Sequence, residues 1–324
     1  MMTDIMHGSH DIHSSDLIAT LRFSQQATMI LDRHPETSSF FLPSSAPENP
    51  EEYGKTEQLF FSSLQTGDDK SAQRCLDRLT QRFGPSNERI MGLHGLYKEA
   101  IAEDSSALER CLREYDNQLL ENPVNLPVLK RRVALLCAMS RPTDAITALI
   151  KLIETTPTDA EAWCELSSLY QSQGMYSQAI FSLEEVLLIT PNAWNIHACL
   201  GELLYICASS PETQAPHKLL ARSLRFFCRS IELCDNYLRG LYGLTLVSSL
   251  LLQDQHSKYL PQDHLVAQPE DTPLKSTILE LNAVAVKKLH RILQAQPMNY
   301  QGREYSQSEL IAAKELLNQF HGSH

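Results

Sequence analysis

Histidine, cysteine and paired acidic or basic side chains are where chemistry would start in this 324-residue sequence. His7, His10 and His13 have a suggestive spacing, but they stand among Met, Ser and Asp at a terminus and read as a solvated tail. The eight cysteines, Cys75, Cys111, Cys137, Cys164, Cys199, Cys207, Cys228 and Cys234, contain no CxxC pair. Zinc needs paired ligands at short spacing, so no metal site is expected. The thiols fall within helical stretches and are expected to stay reduced, acting as small hydrophobes. Glu184 and Glu185 are adjacent, and on a helix they point about 100° apart, which suits a surface pair better than an acid and its base. Two basic runs, Lys130-Arg131-Arg132 and Lys287-Lys288 with Arg291, could meet phosphate. The formal charge of −11, from 28 basic and 39 acidic residues, argues instead for solvated helix faces and against nucleic acid. No GxSxG, HExxH or Gly-rich phosphate loop occurs. The expectation is therefore no catalytic residue, no cofactor and no small-molecule substrate.

The elements that carry these side chains show a period. Pro123, Pro157 and Pro191 stand 34 residues apart, and Ala145 with Ala179, Leu149 with Leu183 and Leu152 with Val186 recur in the same register. In the clearest copy, Trp163, Leu166 and Tyr170 share one face of a first helix at i, i+3 and i+7. Ala179, Leu183 and Val186 answer from a second helix, the small Ala179 allowing close approach. Gly174 marks the reversal between them, and Thr158 with Glu161 forms a capping-box pattern. This is the signature of a tetratricopeptide array, an all-α solenoid in which antiparallel helix pairs wind into a right-handed superhelix.

The register extends to about five or six repeats over 53–252, in one continuous rod. A short helix from Asp16 to Leu31 and a Pro-rich stretch with Pro35, Pro43, Pro47 and Pro50 fill 1–52, a loop is expected over 253–273, and capping helices over 274–324. Ser209 to His217 reads as an insertion. With 43% hydrophobic residues, the apolar material suffices for a folded chain. No Lys or Arg precedes Arg22, and the longest apolar run, Leu244 to Leu252, is about half of the ~20 residues a bilayer span needs. Neither a secretory leader nor a membrane span is expected.

Repeats of this kind bind through the first helices of each pair. The expected lining is Lys130 in one unit, Glu161 with Cys164 and Ser168 in the next, then Asn195, Ala198, Glu202 and Tyr205, then Arg239, Tyr242 and Leu246. Tyr205, Tyr242 and Leu246 are the expected anchors for a protein partner, because partly exposed ion pairs contribute only about 0 to 1 kcal/mol.

Several stretches carry a more specific likeness: Lys130 to Leu136, Ser140 to Ile146, Asp159 to Tyr170 with its Glu161-Ala162-Trp163, and Ala179 to Val186 with its Leu183-Glu184-Glu185. With Gly67 to Leu76 and Arg239 to Leu244, they resemble the family of subunit 2 of the endoplasmic reticulum membrane protein complex. The resemblance covers roughly Glu57 to Leu250; the Pro-rich N-terminal stretch and the Ser209 insertion depart from the family's pattern. It implies a non-catalytic scaffold, peripheral on the cytoplasmic side of the endoplasmic reticulum membrane. Its partners would be other subunits of that complex, soluble and membrane-spanning, in support of inserting transmembrane segments, tail-anchored proteins included. The alternative is a tetratricopeptide co-chaperone or an adaptor of another complex. A carboxylate clamp, however, needs Lys and Asn on successive turns, where this sequence has Lys130 with Ala134 and Cys164 with Ser168.

Overall fold

The computed structural model describes residues 14–32, 50–210, 215–253, 273–294 and 305–321. Among these residues every regular element is a helix. The chain divides into two compact units, Met1–Pro157 and Thr158–His324. The first holds α1 (Ser14–Gln25), α2 (Ala27–Asp32) and the pairs α3 (Pro50–Thr66) with α4 (Asp69–Phe83), α5 (Glu88–Ala100) with α6 (Ser105–Glu121), and α7 (Leu126–Ala138) with α8 (Pro142–Thr155). The second pairs α9 (Ala160–Ser172) with α10 (Tyr176–Ile189), α11 (Trp194–Ser209) with α12 (Pro216–Leu233), and α13 (Leu238–Leu252) with α14 (Lys275–Gln294); α15 (Gln307–His321) follows. The single short helix expected at the N-terminus is broken at Gln26 into α1 and α2. His7, His10, His13, Pro35, Pro43 and Pro47, the middle of the Ser209 insertion and nearly all of the 253–273 stretch lie outside the described residues.

Local chemistry explains where these helices start and turn. Asp159 caps α9, its carboxylate accepting from the amides of Glu161 and Ala162 at 3.1 Å each. The cap is thus one residue beyond the expected Thr158. The helix begins at Ala160, so Asp159 is the side chain within reach of the second and third amides. Asn125, 34 residues earlier, does the same for Val128 at 3.2 Å. Gly174 turns the chain at φ 72°, as its place in the repeat requires. Its counterpart 34 residues earlier is Ser140, which holds the left-handed conformation at φ 57° without glycine's freedom.

In the first unit, Ala27, Leu59, Phe60, Ala72, Cys75 and Leu76 form a buried cluster across α2, α3 and α4. A polar junction joins α5, α6 and α7: the buried Tyr115 donates its hydroxyl to Glu99, and the Arg131 guanidinium donates to the same carboxylate, Nε at 3.2 Å. Gly95 makes room for it, because a Cβ there would overlap the Tyr115 ring, with Cζ at 2.7 Å.

In the second unit, Ala179, Leu183, Val186, Ile196, Leu200 and Leu204 are buried together. Trp163, expected to be buried, packs half-buried against this cluster, its ring edge meeting the exposed Phe181 at 6.1 Å and 76°. The next layer is set by Phe227, whose ring lies between Gly201 of α11 and Gly243 of α13 and is 3% exposed. Buried hydroxyls bridge helices to carbonyls: Ser167 to Ala179 at 2.8 Å, Ser223 to Gly201 at 2.6 Å, Ser230 to Trp194 at 2.7 Å. Asn282 of α14 donates to the hydroxyls of Ser248 at 2.8 Å and Ser249 at 2.9 Å on α13. Small residues permit close helix approach, and these hydrogen bonds satisfy the polar groups so enclosed.

Candidate protein-binding face

Asn195, Glu202 and Tyr205 on α11, and Arg239, Tyr242 and Leu246 on α13, repeat at spacings of three, four and seven, so each set shares one helix face. The two helices are in contact, and the faces meet through Glu202 and Arg239. The Arg239 guanidinium donates to one Glu202 oxygen through both Nε, at 3.1 Å, and Nη2. With side chains 51% and 41% exposed, this pair adds on the order of 0 to 1 kcal/mol and works chiefly to orient two long side chains. Glu161 and Ser168 lie exposed on α9, while Asn195 is half-buried. Lys130 belongs to α7 of the first unit, where it is half-buried.

The aromatic members are embedded in their own unit. Tyr205 packs half-buried against the cluster of Leu224, Phe227, Leu244 and Val247. Tyr242 and Leu246 pack against Leu238, Leu241, Leu289 and Ile292 together with Ala313, Leu316 and Leu317 of α15. Tyr305, just before α15, donates its hydroxyl to the Asn236 carbonyl at 2.7 Å. The last first-helix face is therefore partly covered by the chain's own terminal helix, which leaves a rim of each side chain for a partner.

Ala198 does not line this face. It is fully buried, and Cys199, one residue on, lies near Arg239 instead. The helix period of 3.6 makes i+3 and i+4 equally good candidates from sequence, and here i+4 is the one beside Arg239. Burial raises the Cys199 thiol despite the neighbouring guanidinium. Cys164 is pushed up to about 12 by burial, with Cys199, Glu161 and Asp159 adding to it. Tyr237 is pushed up to about 12, again by burial first, and Tyr242 is raised by burial and then by Tyr205. All four are neutral at pH 7, so this face offers shape, hydroxyls and one oriented ion pair, with no thiolate nucleophile. Among the described residues no group of three or more His, Cys, Asp or Glu could hold a metal ion, and no helix is long and apolar enough to cross a membrane.

Comparison with known proteins bears on the same region. Residues 79–218 match the EMC2 TPR-like repeat domain. The chain is 32% identical over 243 residues to the TPR repeat protein oca3 of Schizosaccharomyces pombe, covering 74% of this chain and 83% of that protein. It is 32% identical over 192 residues to ER membrane protein complex subunit 2-A of Xenopus laevis, covering 59% of this chain and 61% of the frog protein. Against ER membrane protein complex subunit 2 of Saccharomyces cerevisiae it is 26% identical over 198 residues, covering 59% and 68%.

Proposed function

Because this chain belongs to the tetratricopeptide-repeat family of ER membrane protein complex subunit 2, we propose that it is a subunit of that complex and works there as a scaffold. In this reading it holds soluble subunits and the cytosolic parts of membrane-spanning ones on the cytoplasmic side of the endoplasmic reticulum membrane. It thereby supports insertion of transmembrane segments, tail anchors included, while insertion itself is carried out by other subunits. The observation that carries the reading is the α11–α13 face. Glu202 and Arg239 are paired across neighbouring repeats, and Tyr205, Tyr242 and Leu246 stand half-buried beside them. Such a surface presents rigid anchors with a polar rim and has no group poised for bond chemistry. Lys130, Glu161, Ser168 and Asn195 would add the polar part of the contact.

The test is recovery of partners from detergent-solubilised membranes with the tagged chain. Wild-type protein should bring down membrane-spanning subunits of the complex. Tyr205→Phe with Arg239→Gln, which keeps the ring packed on its cluster and removes a partly exposed ion pair worth about 0 to 1 kcal/mol, should bring down less at a nearly unchanged thermal midpoint. Recovery of a heat-shock chaperone in place of membrane subunits would overturn the proposal.

A further inference from the structure

Helix α15 lies on part of the surface that a partner would use. Its Ala313, Leu316 and Leu317 are buried in one cluster with Leu238 and Leu241 of α13 and Leu289 and Ile292 of α14, and the anchors Tyr242 and Leu246 pack against that cluster. Leu310, Ala313, Leu316 and Leu317 recur at i, i+3, i+6 and i+7, so a single stripe of α15 makes the contact. On its other side Ile311, Ala312, Lys314 and Glu315 are exposed. An amphipathic helix laid on a neighbouring surface by one apolar stripe is a common way for a partner's helical segment to be held in a groove.

Two observations separate α15 from the elements beneath it. Its first turn is capped from within: the Ser306 hydroxyl accepts from the Ser308 amide at 3.3 Å, and the Glu309 carboxylate accepts from the Ser306 amide at 3.2 Å. The α13–α14 pair is also held without it, by Asn282 on the hydroxyls of Ser248 and Ser249 and by the shared burial of Val247, Leu251, Ile278 and Ala285. At the start of α15 the Tyr305 hydroxyl ties it to the Asn236 carbonyl at 2.7 Å.

We infer that α15 is an autoinhibitory strap: docked, it occupies the end of the binding face where Tyr242 and Leu246 stand, and released, it opens that end to an amphipathic helix of a partner protein. The α15 stripe itself specifies this occupant, because the surface already accepts a helix with apolar residues at i, i+3, i+6 and i+7. A site filled by its own chain binds an outside ligand with an affinity reduced by the fraction of molecules in which the site is open. The inference rests on the scaffold reading for the role of the face, yet its test needs no other subunit, so the two can fail separately.

The probe is a fluorescein-labelled peptide of residues 305–321, titrated by anisotropy into the purified full chain and two full-length variants. Ala313→Asp places a carboxylate at a fully buried contact of α15 and should release the helix. Tyr305→Phe removes only the hydroxyl that reaches Asn236. The wild type should bind the peptide on the order of tenfold or more weakly than Ala313→Asp. Tyr305→Phe should bind it about fivefold more tightly than the wild type, the gain in opening from losing one net hydrogen bond. Hydrogen exchange should show α15 unprotected in Ala313→Asp, with α13 and α14 protected as in the wild type. Equal binding by all three chains, no binding by Ala313→Asp, or loss of protection in α13 and α14 together with α15 would each overturn the inference, the last by making α15 part of the core. Recovery of membrane-spanning subunits reports on the scaffold reading separately: its absence from every chain defeats that reading and leaves the strap decided by the peptide titration.

Discussion

Replacing Gly243 with alanine tests the packing that holds the α11–α13 face in register. A Cβ at this position would overlap Cε1 and Cζ of Phe227 and stand 2.7 Å from Cδ1, about 1 Å inside normal carbon contact. On its other side the ring lies close against Gly201, where an added Cβ would come within 3.1 Å of three of its carbons, which leaves it little room to retreat. Overpacking of a closed core costs about 1 to 3 kcal/mol, and so rigid a neighbour argues for the upper end. Alanine is better than glycine in a helix by about 1 kcal/mol, which offsets part of this. The net expectation is a loss of about 2 kcal/mol, a fall of roughly 4 to 8 °C in the midpoint of a unit of this size. Calorimetry and urea unfolding followed by circular dichroism measure it. Phe227→Leu should be milder in the Gly243→Ala background than in the wild type, with a coupling of about 1 kcal/mol or more. A raised midpoint, as helix propensity alone dictates, or zero coupling would refute the wedge.

Three further outcomes follow from particular residues. Ser140→Gly should leave stability unchanged or raise it by up to about 1 kcal/mol by relieving the left-handed backbone, whereas Gly174→Ala, where space is open and only φ is strained, should lose about 1 kcal/mol; chemical denaturation of both variants reads the difference. Glu99→Gln leaves the partly buried Arg131 guanidinium without its counter-charge and should cost about 2 kcal/mol, visible as an earlier thermal transition. Cys164, raised from 9.0 to about 12, should alkylate about a thousandfold more slowly at neutral pH than an ordinary thiol of the lower pKa, as mass spectrometry of iodoacetamide-treated protein would report. Its raised folded pKa favours the protonated thiol, so the stability it contributes is complete below about pH 9 and is lost as pH rises from about 9 to 12.

The periodic features were legible because they depend on residue type at fixed spacing. Leu166, Ala179, Leu183 and Val186 are buried as the 34-residue register requires, and Gly174 turns the chain where the repeat needs it. Features that depend on distance were not legible. Ser140 gives no sign in its side chain that its backbone is left-handed, and Gly243 and Gly201 announce small size without revealing that both make room for Phe227. On the binding face, helix spacing alone could not decide between Ala198 and Cys199, nor show that α15 would lie against Tyr242 and Leu246. The common cluster that joins α12 to α14 became visible only with the fold.

The hydrogen bonds of Asn282 have a topological consequence. Together with the packing of Leu238 and Leu241 on Leu289 and Ile292, they hold α13 and α14 to each other by contacts that do not involve the intervening residues 254–272. Holding two helices from outside their connection makes the length of that connection almost irrelevant to their docking, since doubling a closed loop adds only about 0.6 kcal/mol of closure entropy. The helix pair should therefore stay docked when the sequence between Gln253 and Pro273 is lengthened or carries an inserted tag, which the thermal midpoint of such a variant would report.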